Sequence, residues 1–131
     1  MNVAADPYER TEVRDGMRIT WHQRIPMEDG VVLRADVYRP VDDKPCPVIL
    51  TYGIYAKGLA YQDGYPLQWE KMVADYPEIL KGSSNKYQNW ETTDPESWVP
   101  HGYAVVRVDS RGAGWSPGFM DPASPDRKSV V

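Results

Sequence analysis

The sequence predicts an α/β fold in which an antiparallel hairpin leads into a mixed, mostly parallel sheet flanked by helices. Three observations carry this expectation. Apolar and polar residues alternate across residues 17–37 with a single turn-rich interruption. Two continuous apolar, β-branched runs follow at residues 47–52 and 103–108. A stretch with helical period lies between them, at residues 66–80.

Taken in order, Met17, Ile19, Trp21 and Ile25 share one face of a strand against Arg18, Thr20, His22 and Arg24 on the other. Glu28-Asp29-Gly30 supplies turn chemistry, and Val31, Leu33, Ala35 and Val37 resume the alternation up to Arg39-Pro40. The pair reads as a half-buried hairpin. After a polar loop, the run Pro47-Val48-Ile49-Leu50-Thr51-Tyr52 has the composition of a strand covered on both faces, and residues 103–108 repeat it. Between these runs Trp69, Met72, Val73 and Tyr76 fall at i, i+3, i+4 and i+7, and Pro77 is expected to end or bend the helix. The polar stretch 81–100 holds Trp90 and Trp98 and one short helical start, Asp94-Pro95-Glu96, with Asp as N-cap and Pro at the first helical position. Structureless segments of that length are commonly functional. No repeat, low-complexity tract or linker divides residues 1–131, which read as part of one domain.

With 131 residues, 41% hydrophobic and 26% charged, the composition is that of a folded globular chain. A net charge of -4 without a dense Lys/Arg run gives no footprint for nucleic acid or for an anionic membrane surface. The opening residues carry acids and no apolar signal region, and the longest strongly apolar stretch, Val48 to Leu50, is far too short to cross a bilayer. The expected compartment is the cytoplasm. Cys46 is the single cysteine, which excludes an intramolecular disulfide or a cysteine-built zinc site and leaves it a packing role.

The pattern G-x-S-x-G occurs once, as Gly114-Trp115-Ser116-Pro117-Gly118. Two physical points set it aside as a nucleophile elbow. The residue after an elbow serine must offer a backbone N–H to the oxyanion, and Pro117 has none; and the preceding strand is expected to end near Asp109, not at the serine. Val108-Asp109-Ser110-Arg111-Gly112 lacks the first glycine of that pattern, so Ser110 reads as a turn residue. His22 lies on the polar face of a strand and His101 in a loop, and both read as surface or structural histidines. No HExxH, Cys/His cluster or acidic calcium loop points to a metal, and Gly112-Ala113-Gly114 is too short and lacks the lysine of a phosphate-binding loop. No cofactor is expected.

Three segments in order resemble the amino-terminal portion of the cocaine-esterase and X-prolyl dipeptidyl-peptidase family of serine hydrolases. They are Met27-Glu28-Asp29-Gly30-Val31-Val32-Leu33 through Asp36-Val37-Tyr38-Arg39-Pro40; Pro47 through Gly53-Ile54-Tyr55-Ala56-Lys57; and Gly102-Tyr103-Ala104 through Asp109-Ser110-Arg111-Gly112 to Gly118. The resemblance spans residues 14–125. It implies an incomplete α/β-hydrolase core whose nucleophile elbow, cap and carboxy-terminal domain are absent from this chain. It further implies a Ser-His-Asp triad lying beyond Val131, and a small-molecule ester or peptide substrate for the full-length protein. Relatives continue from Pro125 into an amphipathic helix and the elbow strand, whereas here residues 126–131 depart from that pattern. This chain alone is therefore expected to be inactive.

Within the chain, the resemblance assigns Tyr55 as an oxyanion-hole donor through its hydroxyl. Loss of one such donor typically costs about 10²- to 10³-fold in rate. The other reading of Tyr55 is an aromatic wedge that closes the strand-to-loop turn. Lys57 and Gly58 are expected to do no more than shape that loop, and Asp109, Arg111 and Gly112 to form a structural turn at the floor of the site. From a different class, five Trp and nine Tyr on an incomplete sheet permit a non-catalytic remnant that binds a partner through aromatic surface.

Overall fold

Residues 5–121 are described by the computed structural model. The expected departure at residues 126–131 lies outside them. One sheet organises the chain, built from β1 (Arg10–Arg14), β2 (Met17–Pro26), β3 (Val32–Arg39), β4 (Val48–Gly53) and β5 (Ala104–Asp109), in the spatial order β1-β2-β3-β5-β4.

The antiparallel hairpin of β2 and β3 forms where the alternation placed it, closed by Gly30 at a φ of 86° that L-residues avoid. A strand absent from the sequence expectation, β1, precedes it. Asp15 and Gly16 both take positive φ, 49° and 75°, between the paired residues Arg14 and Met17. Two such residues make the primed turn that suits a two-residue hairpin.

The sheet is mixed, but "mostly parallel" needs correction. Among the described residues β4 and β5 are the one parallel pair, and β1–β2, β2–β3 and β3–β5 run antiparallel. β5 inserts between β3 and β4, so it is buried at every position but the half-buried Val106, whereas β4 lies at the edge with Val48 56% exposed. The apolar composition of residues 47–52 thus does not correspond to cover on both faces here.

A second correction concerns β2. The register slips by one residue between Thr20 and Gln23, and His22 sits in the bulge with a φ of 57°. One extra residue reverses the side-chain parity of everything beyond it. Trp21 therefore packs with Met17, Ile19, Tyr38, Tyr87, Val99 and Val105 on one face, while Ile25 packs with Leu33, Ala35 and Val108 on the other.

The helical expectations are met. The period at residues 66–80 gives α2 (Pro66–Asp75), which stops before Pro77 opens a 3-10 turn (Pro77–Leu80), and a short α1 (Tyr61–Gly64) precedes it. Asp94 caps α3 (Pro95–Trp98) by accepting from the Glu96 N–H at 3.1 Å. No helix among the described residues is long and apolar enough to cross a membrane.

Candidate functional site

The parallel pair delivers two turns to one edge of the sheet. Gly53 at the end of β4 lies beside Asp109 at the end of β5, and the Ser110 N–H donates to the Gly53 carbonyl at 2.8 Å. Tyr55 leaves the first turn and Ser116 the second. Their surroundings differ sharply.

Tyr55 is 40% exposed, with its ring 6.3 Å from that of Trp90. It lines a cavity of about 200 Å³ shared with Tyr52, Trp90, Glu91, Thr92 and Asp109. Its side chain is accessible while its backbone is pinned. Ala56 holds a φ of 62°, and its carbonyl accepts from Asn89 Nδ2 at 2.8 Å and from the Leu59 N–H at 3.0 Å. The Lys57 N–H donates to Asp109 Oδ1 at 2.7 Å. Residues of the long polar loop thus clasp the turn, and Trp90 stacks on Tyr61 at 5.3 Å with the rings 7° from parallel.

Ser116 is the opposite case. It is 4% exposed, its hydroxyl donates to the Asp109 carbonyl at 2.7 Å, and the same oxygen accepts from the Arg34 N–H at 2.9 Å. Both uses of the oxygen are structural, tying the turn after β5 to β3. The glycines of the G-x-S-x-G pattern serve the same turn. Gly114 has a φ of 51°, and a Cβ there would collide with the Asp109 carboxylate; Gly118, at 102°, lies against the Arg111 side chain. Asp109 in turn accepts from the Trp115 N–H through Oδ2 at 2.8 Å. Burial pushes its carboxyl above the ordinary carboxylate range, against the opposing pull of the Trp115 and Lys57 N–H donors and the Lys57 charge.

Beneath the Tyr55 turn lies a buried charge cluster that sequence reasoning missed. Lys57 was expected to shape the loop at most. Instead its side chain and that of Asp36 are each 1% exposed, with Nζ 2.7 Å from Asp36 Oδ1 and 2.8 Å from His22 Nδ1. Asp36 Oδ1 also accepts from the His22 N–H at 3.0 Å, which is how the bulge in β2 is held. The His22 ring stacks on Trp115 with centroids 3.9 Å apart. Burial, then the Lys57 charge, lowers its pKa from the ordinary 6.5. His22 is thus a structural histidine that joins both turns. His101 is exposed at the end of a 3-10 turn (Val99–His101).

Of the residues given a scaffold role, Arg111 pairs with Asp29 at 2.8 Å, and Gly112 holds a φ of 76° where a Cβ would meet the backbone of Met120. Cys46 is free and half-buried. Among the described residues no group of three or more His, Cys, Asp and Glu is placed to hold a metal.

The geometry puts the partly exposed Tyr55 at the carboxyl ends of the parallel strands, the crevice where open α/β sheets hold ligands. This defines the class as α/β. The chain belongs to the X-Pro dipeptidyl-peptidase (S15) family, whose profile matches residues 29–131. It is similar to the cocaine esterase of Rhodococcus sp. (strain MB1 Bresler), with 34% identity over 98 residues, 75% of this chain and 13% of that protein. Two crystal structures of a CocE/NonD family hydrolase from Staphylococcus aureus also match. One is 29% identical with a TM-score of 0.63 over 82% of this chain and 18% of that one. The other is 26% identical with a TM-score of 0.67 over 92% and 22%. The chain therefore corresponds to the amino-terminal part of a hydrolase domain and spans less than a quarter of the length of each of these relatives.

Proposed function

We propose that the full-length protein hydrolyses esters or amides by the acyl-esterase or X-Pro dipeptidyl-peptidase chemistry of its relatives, and that Tyr55 donates its hydroxyl to the oxyanion. The observation that carries this reading is the contrast within one turn: an accessible phenol on a backbone fixed by Asp109, Asn89 and the buried Lys57–Asp36 pair. A donor that is positioned in advance needs no reorganisation when charge develops on the carbonyl oxygen, which is the condition for effective oxyanion stabilisation. The aromatic wall of Tyr52 and Trp90 beside it suits the apolar part of a small acyl substrate.

Nucleophile, acid and base are supplied on this reading by residues after Val131, so this chain by itself is inert. The protein acts in the cytoplasm on a small-molecule ester or peptide, without cofactor, nucleic acid or membrane. The test is steady-state hydrolysis of p-nitrophenyl acetate and of an X-Pro p-nitroanilide by the full-length protein. Turnover of either that falls about 10²- to 10³-fold in Tyr55→Phe supports the role, and turnover unchanged in Tyr55→Phe removes it.

A further inference from the structure

Lys57 is held at both ends. Its N–H donates to Asp109 Oδ1 at 2.7 Å, while its Nζ lies 2.7 Å from Asp36 Oδ1 and 2.8 Å from His22 Nδ1. It stands two residues beyond Tyr55, and the Ala56 between them has a φ of 62° and a carbonyl bonded to Asn89 and Leu59. A displacement of the Lys57 side chain therefore reaches the tyrosine through a short backbone with little slack.

The contact with His22 fixes the protonation of the ring. An ammonium group only donates hydrogen bonds, so Nδ1 must accept, which makes His22 neutral with its proton on Nε2. Protonating the ring would put an N–H on Nδ1, and two donors would then face each other across 2.8 Å. The ring has little room to turn aside. It stacks on Trp115 with centroids 3.9 Å apart, and Asp36 Oδ1 holds the His22 N–H at 3.0 Å. The strain falls on Lys57. Other charged groups act on His22 from around it: Asp36 and Arg34 of β3 and Arg10 of β1. Arg34 is itself paired with Asp6 at 2.7 Å, and Glu9 accepts from the Arg24 N–H at 3.1 Å. Burial, then the Lys57 charge, favours the neutral ring, with Arg34 and Arg10 adding to this and Asp36 opposing it.

We propose that His22 is a positioning residue for the Tyr55 hydroxyl, acting through Lys57, and that protonation of His22 withdraws Tyr55 from the oxyanion. This rests on the role proposed above for Tyr55. The tyrosine's contribution is then complete above about pH 6.5 and is lost as pH falls through the lowered folded value of His22.

The test is the ratio of p-nitrophenyl acetate turnover by the full-length protein to that of its Tyr55→Phe variant, measured from about pH 7.5 down to about pH 5. Taking the ratio cancels the titration of groups common to both proteins. Circular dichroism defines the range in which each protein stays folded. The ratio should fall about tenfold or more toward acid, within the roughly 10²-fold that a 1 Å misplacement can cost. His22→Asn puts an amide oxygen, an acceptor that does not titrate, in place of Nδ1, and in that background the ratio should hold constant with pH. A ratio of one at every pH would remove Tyr55 from the reaction and this proposal with it. A ratio well above one that does not change with pH overturns the positioning role alone. So does an equal fall in the His22→Asn background, which would assign the acid response to another group such as Asp109, whose carboxyl titrates above its ordinary range. If His22→Asn does not fold, the ratio with His22 intact carries the test, and its constancy overturns the proposal.

Discussion

The turns that leave β4 and β5 start side by side and share Asp109, yet one leaves its tyrosine partly exposed and the other buries its serine. Tyr55 is accessible on a pinned backbone, whereas Ser116 spends its hydroxyl on Asp109 and Arg34. Reactive potential in this region follows what holds the turn rather than which motif the sequence spells. The serine pattern is a fold device, and the tyrosine loop is clamped from beneath by charges drawn from three parts of the chain.

The clamp is where the comparison breaks most readily. Lys57→Met leaves Asp36 buried without its cation and should cost about 3–5 kcal/mol in chemical denaturation. Asp36→Leu combined with Lys57→Met should lose less than the two single losses summed, because neither charge is then stranded; additive losses would mean that the pair is not coupled. Asp109→Ala, which strands the Lys57 and Trp115 N–H groups, should cost about 2–4 kcal/mol and disturb both turns together. Ser116→Ala should cost about 1–2 kcal/mol through its two lost bonds, while Tyr55→Phe should stay within about 0.5 kcal/mol of wild type by the same measurement.

The smallest effect concerns His22. Its folded pKa lies below the ordinary 6.5, so the folded state prefers the neutral ring. That contribution is complete above about pH 6.5 and is lost as pH falls through the lowered folded value. Melting curves between pH 7.5 and about 5 should therefore slope downward toward acid, and His22→Asn, which tolerates the positive φ, should flatten the slope. An identical slope in the variant would detach His22 from the clamp.

How much of this was legible in the sequence depends on what each feature needs. The hairpin, β5, α2 and the Asp94 cap follow from local periodicity and turn chemistry, and they stand where those signals put them. β1 escaped because Arg10, Thr11, Glu12 and Arg14 carry no apolar alternation; its one signal was Asp15-Gly16, a hairpin turn in composition. The reversal at Ile25 was invisible because a bulge leaves no periodic trace. The Lys57–Asp36 pair joins residues distant in sequence, so neither residue type nor spacing announced it, although a lysine beside an apolar strand end was a prompt to look for a buried acid. Pro117 already argued against Ser116 from sequence alone, and the buried hydroxyl supplies the structural role.

The central claim is that the turn after β4 carries chemistry and the turn after β5 carries structure. Its most direct test is the turnover number of the full-length protein on p-nitrophenyl acetate, measured for Tyr55→Phe and Ser116→Ala at a temperature where both remain folded. The account predicts a loss of about 10²- to 10³-fold for Tyr55→Phe and near-wild-type turnover for Ser116→Ala. The reverse pattern, with activity abolished in Ser116→Ala and retained in Tyr55→Phe, would contradict it.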